Sequence, residues 1–389
     1  MLQLLAVIVI WRLATESSPP LLVHRTVAAY VRLPGTPAVL AWPREGQAAV
    51  EVEGVGSSGT SGGHAPVPIA SVAKIMTAYL ILLEHPLRAD EQGFVITITP
   101  AEVQEEQQRA DLGQSTLAVR AGEQITERQA LEALLIPSAN NIAELLAVHE
   151  AGTLASFVTR MNYTARKLGM VSTTYTDPSG FNDETVSTAS DQLKLARVAM
   201  REPAFATIVD QPSAELPGVG RVANFNGLVG SDGYVGVKTG SDRAAGGCLV
   251  FAKRVVIAGH RLTVLGVVLG QREGSLIGAA LDSAEALGNS VAAALRVETV
   301  LLAGTSVLTA KSADGRRTNA VTASVLKDIG WPGLAIAIRV TAHPAMRSLR
   351  AGERMATVAA EGASVSTTGA LAERSLGSAS LGWRIQHLL

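Results

Sequence analysis

Cysteine is nearly absent: Cys248 is the single thiol in 389 residues. One thiol cannot close a disulfide within the chain, so no disulfide framework supports this fold and cysteine usage does not identify the compartment. Cys248 sits in Gly246-Gly247-Cys248-Leu249-Val250-Phe251, where a small buried hydrophobe is expected rather than a nucleophile. Excess charge is lacking too. With 33 Lys and Arg against 34 Asp and Glu the net charge is -1, which gives no electrostatic case for nucleic acid. There is no G-x-x-x-x-G-K-[ST] phosphate loop. His149-Glu150 has no second histidine at helical spacing and reads as the polar end of a helix, so neither metal nor cofactor is expected. What is plentiful is apolar residue: 47% of the chain, enough core for two or three domains.

Lysine is the informative scarcity. Only seven of the 33 cations are lysine, so the sequence uses arginine wherever any cation will serve. Arginine does not give up its proton in a protein, whereas lysine does once its pKa is lowered. Lys74 follows Ser71 by three residues, in Ile69-Ala70-Ser71-Val72-Ala73-Lys74-Ile75-Met76-Thr77-Ala78. At that spacing hydroxyl and amine share one helical face, the minimum equipment for nucleophilic catalysis by serine without histidine. Alone, the pair reads first as an N-cap serine followed by a solvated lysine. Against that, Ile69, Val72, Ile75, Met76, Tyr79, Leu80 and Leu83 recur at helical spacing before the stop at His85-Pro86, so Lys74 is expected to face protein.

Two further constellations follow. Ser138-Ala139-Asn140 lies between a helical run from Glu127 to Ile136, broken by Pro137, and an apolar helix from about Ile142 to Val148, which puts a second hydroxyl and an amide on a tight inter-helix loop. Lys238-Thr239-Gly240 is preceded by Gly233-Tyr234-Val235-Gly236-Val237 and followed by the Cys248 segment, reading as an edge strand that turns into a second strand. Glycines on both sides let a ligand backbone approach, and a lysine and a threonine hydroxyl there suit a carboxylate. The Gly-rich stretch Gly54 to Gly63 reads as a turn leading to the Ser71 region.

S-x-x-K, S-x-N and K-T-G in this order are the signature of penicillin-binding proteins and class A β-lactamases. From roughly Ala48 to Gly270 the chain resembles, more narrowly, the serine-type D-alanyl-D-alanine carboxypeptidases, the low-molecular-weight penicillin-binding proteins. The segments that carry the resemblance are the Ser71 stretch, Leu134-Leu135-Ile136-Pro137-Ser138-Ala139-Asn140, Phe157-Val158-Thr159-Arg160-Met161-Asn162, Lys167-Leu168-Gly169-Met170, Asp177-Pro178-Ser179-Gly180, Ser187-Thr188-Ala189-Ser190-Asp191, Asn224-Phe225-Asn226 and the Lys238 strand. There are two departures: Asn141 stands where the family usually has aspartate, and Asp242 where a threonine commonly follows. Asp242 brings negative charge close to a site meant for a carboxylate.

The resemblance implies an α+β fold: a β-lactamase/transpeptidase-like domain over residues 38–299, with an antiparallel sheet flanked by helices plus an all-helical part. It also implies a set of roles. Ser71 would attack the penultimate D-alanine carbonyl of a peptidoglycan stem peptide, with Lys74 as base, its pKa lowered by burial and by Lys238. The backbone N–H groups of Ser71 and Ser241 would hold the oxyanion. Ser138 would relay a proton to the leaving nitrogen, Asn140 would hold the acyl-side peptide, and Lys238, Thr239 and Gly240 would form the carboxylate site. β-Lactams would acylate Ser71 as inhibitors. A class A-like β-lactamase would need a glutamate-assisted deacylation loop, for which Thr173 to Glu184 is a poor match. A non-catalytic cell-wall binding relative has no need of all these groups.

The ends complete the expectation. Met1 to Ile10, interrupted at Arg12, is shorter than the ~20 apolar residues that span a bilayer. It resembles the core of a signal peptide or anchor without its positive leading region. Residues 1–37 are therefore expected to be a leader or anchor remnant with linker, giving an extracytoplasmic protein on the cell membrane or wall face, either exported or held through its N-terminus. After the helix Leu276 to Leu295, short runs at Thr305 to Ala310, Asn319 to Leu326 and Leu334 to Thr341 predict a small all-β domain over 300–389.

Overall fold

The structure, a computed structural model, describes residues 19–387 apart from 89, 345 and 364–365. The expected leader at Met1 to Ile10 lies outside the described residues. The chain divides into two compact units: Val39–Val256 with Arg261–Ala293, and the described residues of Met1–Ala38, Ile257–His260 and Ala294–Leu389.

The first unit is built on a five-stranded sheet in the order Tyr234–Asp242, Gly246–Ile257, His260–Gln271, Gln47–Val52, Gly56–Gly62. The Lys238 strand is therefore an edge, as its flanking glycines predict. It pairs antiparallel with the Cys248 strand in the register Lys238↔Val250, Thr239↔Leu249, Gly240↔Cys248. The opposite edge corrects one expectation, because Gly56–Gly62 is a strand and not a turn. It pairs with Gln47–Val52 through backbone groups, and weak side-chain propensity in Gly and Ser is overridden where a partner strand supplies the hydrogen bonds.

Helices cover this sheet, and their starts are legible locally. Thr99 and Thr126 close capping boxes with Glu102 and Gln129, each satisfying two otherwise unpaired N–H groups at a helix start. The helix Lys74–Glu84 is the central one. Nine of its eleven residues are buried, so it packs on every side and serves as a fixed axle rather than an amphipathic cover. Each fully buried Ile or Leu in it contributes about 2 kcal/mol of transfer free energy. Ser71 precedes it in a single 3-10 turn, Ala70–Ala73.

Helix Asn140–Ala151 is tied to the loop before Glu127 by its second residue. Asn141 accepts the Leu117 N–H (3.0 Å) and donates to the Leu117 carbonyl (2.9 Å). Both ends of the amide are used, which a carboxylate cannot reproduce.

The second unit contains a seven-stranded sheet in the order Leu22–Arg25, Ser306–Lys311, Arg317–Thr322, Ser366–Ala372, Arg354–Glu361, Ala335–Ala342, Tyr30–Arg32. Two corrections follow. Leu22–Arg25 and Tyr30–Arg32 fall in what reads as linker, yet they form the two edges of this sheet. Strands of four and three residues carry almost no pattern of their own, and their partners lie some 280 to 310 residues away. The run Asn319 to Leu326 is split by Ala323-Ser324-Val325. Its second half starts Leu326–Gly330, which pairs instead with Arg296–Leu301.

The Asn141 clamp gives a stability test. Asn141→Asp should destabilise the protein by about 1–3 kcal/mol, because a carboxylate oxygen would face the buried Leu117 carbonyl. Thermal or urea denaturation of the variant measures it, and an unchanged midpoint would contradict the clamp.

Candidate active site

Three chain segments far apart in sequence meet at one nitrogen. Lys74 Nζ lies 2.7 Å from Ser71 Oγ, 2.7 Å from Asn140 Oδ1 and 2.9 Å from the Ser179 carbonyl. The lysine is fully buried at 0% exposure. Burial first, and the charge of Lys238 second, hold its pKa well below the ordinary lysine value, with Asp177 pulling the other way. A neutral amine has two N–H groups and one lone pair. The Asn140 and Ser179 oxygens can only accept, so they take the two N–H groups, and the lone pair is left for the Ser71 hydroxyl.

The Ser179 carbonyl is presented by a loop knit on one carboxylate. Asp177 accepts from Ser179 Oγ (2.6 Å), Phe181 N (2.9 Å) and Thr185 Oγ1 (2.6 Å). Thr77, on the Lys74 helix, adds a hydrogen bond to the Pro178 carbonyl at 2.7 Å. Gly180 has φ +76°, and a Cβ there would stand 1.9 Å from the Ala70 carbonyl, so only glycine lets this loop lie against the Ser71 turn.

Ser138 is held with φ +66°, an uncommon conformation for a non-glycine residue. Its hydroxyl is buried without a hydrogen-bond partner among the described residues. Buried polar groups are normally paired, and exceptions with a strained backbone cluster at functional sites. Asn140 is engaged at both ends, to Lys74 through Oδ1 and to Gln114 Oε1 through Nδ2 at 2.9 Å. To hold a peptide, as the sequence suggests, it has to exchange one of these partners.

The Lys238 strand crosses directly over the Ser71 turn. A Cβ on Gly240 would lie 2.9 Å from the Ser71 nitrogen and 3.0 Å from the Val72 nitrogen and the Ile69 carbonyl. Thr239 is buried and Ser241 exposed beside it. Lys238 is 1% exposed, and its hydrogen bond goes to the Thr239 carbonyl at 3.0 Å. Burial alone brings its pKa down to about 7. Lys238 and Lys74 repel each other when both are charged, so the pair disfavours holding two protons at once.

Asp242 is committed to the hairpin. Its Oδ1 accepts the Ala245 N–H at 2.6 Å, closing the turn between the two strands. Burial raises its pKa, opposed by the Ala245 amide, with Asp183 raising it further. Cys248 is buried, and its thiol is pushed up to about 12. His149 stacks on Phe94, and Glu150 pairs with His85 and Arg160.

Structure thus brings together Ser71, Lys74, Asn140 and the Lys238-Thr239-Gly240 strand. Sequence reasoning missed Gln114 and gave no role to Asp177, Ser179 or Thr77. Ser179 contributes a backbone oxygen, which no side-chain pattern reports. Gln114 sits in a loop with neither periodicity nor turn chemistry to mark it.

Residues 60–273 match the family model described as D-alanyl-D-alanine carboxypeptidase, peptidase S11. The chain belongs to that family. It is 32% identical over 195 residues to a D-alanyl-D-alanine endopeptidase of Escherichia coli K12, covering 47% of this chain and 58% of that protein. It is 34% identical over 203 residues to the D-alanyl-D-alanine carboxypeptidase DacB2 of Mycobacterium tuberculosis, covering 49% and 65%. The match thus spans about three fifths of the length of these relatives. Among solved structures, the Streptomyces K15 DD-transpeptidase superposes with a TM-score of 0.54 at 28% identity, over 66% of this chain and 98% of that one. The first unit accordingly has the expected α+β, transpeptidase-like fold.

The buried lysines make a pH-dependent stability test. In the unfolded chain Lys238 holds its proton up to about pH 10.4, whereas in the folded protein it loses it near 7. Between these values the unfolded state binds more protons, so stability rises with pH, and below 7 the full cost of burying the charge is present. Lys238→Met should stabilise the fold at pH 6 by on the order of 3 kcal/mol, with the gain shrinking toward pH 10. A melting series over pH 5–10 measures it, and a destabilised variant at pH 6 would overturn the assignment.

Proposed function

We propose that this protein is a serine D-Ala-D-Ala carboxypeptidase that removes the terminal D-alanine from peptidoglycan stem peptides through an acyl-enzyme on Ser71. The observation that carries the reading is the Lys74 amine, buried and aimed at a hydroxyl, with a second buried lysine that has no acidic partner among the described residues. Lys74 takes the Ser71 proton as the oxygen attacks the carbonyl of the penultimate D-alanine. The Ser71 and Ser241 N–H groups receive the developing oxyanion. Ser138, its hydroxyl unpaired, passes a proton to the departing D-alanine nitrogen. Lys238, whose buried charge calls for an anion, binds the terminal carboxylate with the Thr239 hydroxyl, and Gly240 keeps the strand close to Ser71. Asn140 fixes Lys74 and offers its amide to the acyl-side peptide. Water then hydrolyses the ester.

A β-lactam carries a strained amide and a carboxylate in comparable positions and acylates the same oxygen. Slow release of that adduct separates a carboxypeptidase from a class A-like β-lactamase, and formation of any adduct separates both from an inert wall-binding relative. Endopeptidase cleavage of cross-links is a second reading, favoured by the name of the Escherichia coli relative. We place the protein outside the cytoplasm at the membrane or wall face, because its substrate is there and because of the apolar segment Met1 to Ile10. Cell fractionation of the full chain tests that placement, and a purely cytoplasmic protein would sink it.

The chemical test uses a fluorescent penicillin and a pentapeptide. Wild-type protein should be labelled and should release D-alanine. Ser71→Ala should do neither, and Lys74→Arg should lose about 10⁴-fold or more in acylation with its fold intact, because a guanidinium cannot accept the proton. Appreciable labelling of Lys74→Arg would remove Lys74 as the base.

A further inference from the structure

Asn140 faces Lys74 with its oxygen, and nothing in Asn140 itself enforces that choice. The two ends of a primary amide are nearly the same shape, and their assignment follows from their neighbours. Here the neighbours form a chain of one-way donors and acceptors. Gln114 Oε1 accepts from Asn140 Nδ2 at 2.9 Å and from Arg109 Nη1 at 3.2 Å. A guanidinium has donors only, so Arg109 draws the oxygen end of Gln114 toward itself. That oxygen in turn requires the NH₂ end of Asn140, which leaves Oδ1 for Lys74.

Arg109 is fixed in its turn by Glu144 at 2.5 Å and Glu105 at 2.8 Å. Glu144 stands one turn beyond Asn140 on the same helix, so the relay closes on the element from which it starts. We infer that Gln114 is a positioning residue for the general base: anchored by Arg109, it sets the orientation of the Asn140 amide and thereby aims the Lys74 lone pair at Ser71. The inference rests on the reading of Lys74 as base.

The consequence of losing the relay is specific. If Asn140 turns over, its NH₂ group meets the amine and occupies the lone pair. Lys74 must then point an N–H at Ser71 Oγ, a geometry in which it cannot accept the hydroxyl proton. The loop itself is held independently of the Gln114 side chain, because the Asn140 N–H is bonded to the Ser115 carbonyl at 2.7 Å. Gln114 is only half-buried, so its replacement leaves the surrounding packing in place.

Two variants test this by acylation with fluorescent penicillin across pH 5–9, with melting temperature as the control for folding. Gln114→Met should acylate about ten- to a hundredfold more slowly than wild type, with an unchanged melt. Gln114→Glu still accepts from both neighbours, so its optimum rate should stay within about threefold of wild type. Its added negative charge should move the acid limb of acylation to higher pH by favouring the protonated amine, and its near-normal rate beside the loss in Gln114→Met is a rescue that a merely structural role would not produce. Gln114→Met acylating at the wild-type rate would overturn the inference. So would a Gln114→Glu protein that melts normally yet acylates a hundredfold more slowly than wild type, which decides the matter should Gln114→Met melt early. Failure of the wild-type protein to be labelled at all would instead overturn the reaction on which the inference rests.

Discussion

The fold is organised around the burial of one amine. Placing a lysine where water cannot reach it costs several kcal/mol unless it is neutralised or fully hydrogen-bonded. Lys74 meets that requirement with oxygens from three separate segments, Ser71, Asn140 and Ser179. The arrangement therefore does structural and chemical work at once. The three hydrogen bonds pin the Ser71 turn, the start of a second helix and the Asp177 loop to one point. The same burial lowers the pKa of the amine, the condition for the base role proposed for it. A solvated lysine at this position would hold neither the segments nor the lone pair.

The two buried lysines are unequally satisfied. Lys74 has three oxygen neighbours, two of which can only accept and so occupy its N–H groups, and it feels the repulsion of Lys238. Lys238 has one carbonyl and is lowered by burial alone, to about 7. A cation so sparsely satisfied gains more from an arriving carboxylate than one already surrounded. On the proposed reading, proton acceptance and anion binding are divided between two residues of the same type by their surroundings.

What could be read from the sequence followed from side-chain chemistry at fixed spacing. Ser71 and Lys74 share a helical face, and Lys238 falls on an edge strand because glycines surround it; both are local statements. What escaped depends on backbone atoms or on distant partners. The Ser179 carbonyl, the strands Leu22–Arg25 and Tyr30–Arg32, and the glycine-rich strand Gly56–Gly62 take their meaning from hydrogen bonds that no local pattern encodes. Gln114 is the clearest instance. One amide in an irregular loop has no sequence signature, yet its oxygen lies between a guanidinium and the asparagine that holds Lys74.

The same distinction resolves the two departures from the family pattern. Asn141 looks in sequence like a change beside the candidate site residue Asn140, but its amide spans the N–H and carbonyl of Leu117 and belongs to the scaffold. Asp242 looks like a negative charge set against a carboxylate site, but its oxygen closes a hairpin turn through Ala245. A carboxylate already accepting from backbone donors has part of its charge compensated locally. Asp242 thereby fixes where the edge strand ends. On the proposed reading, it would influence turnover through the placement of Thr239 and Ser241 rather than through repulsion of the substrate.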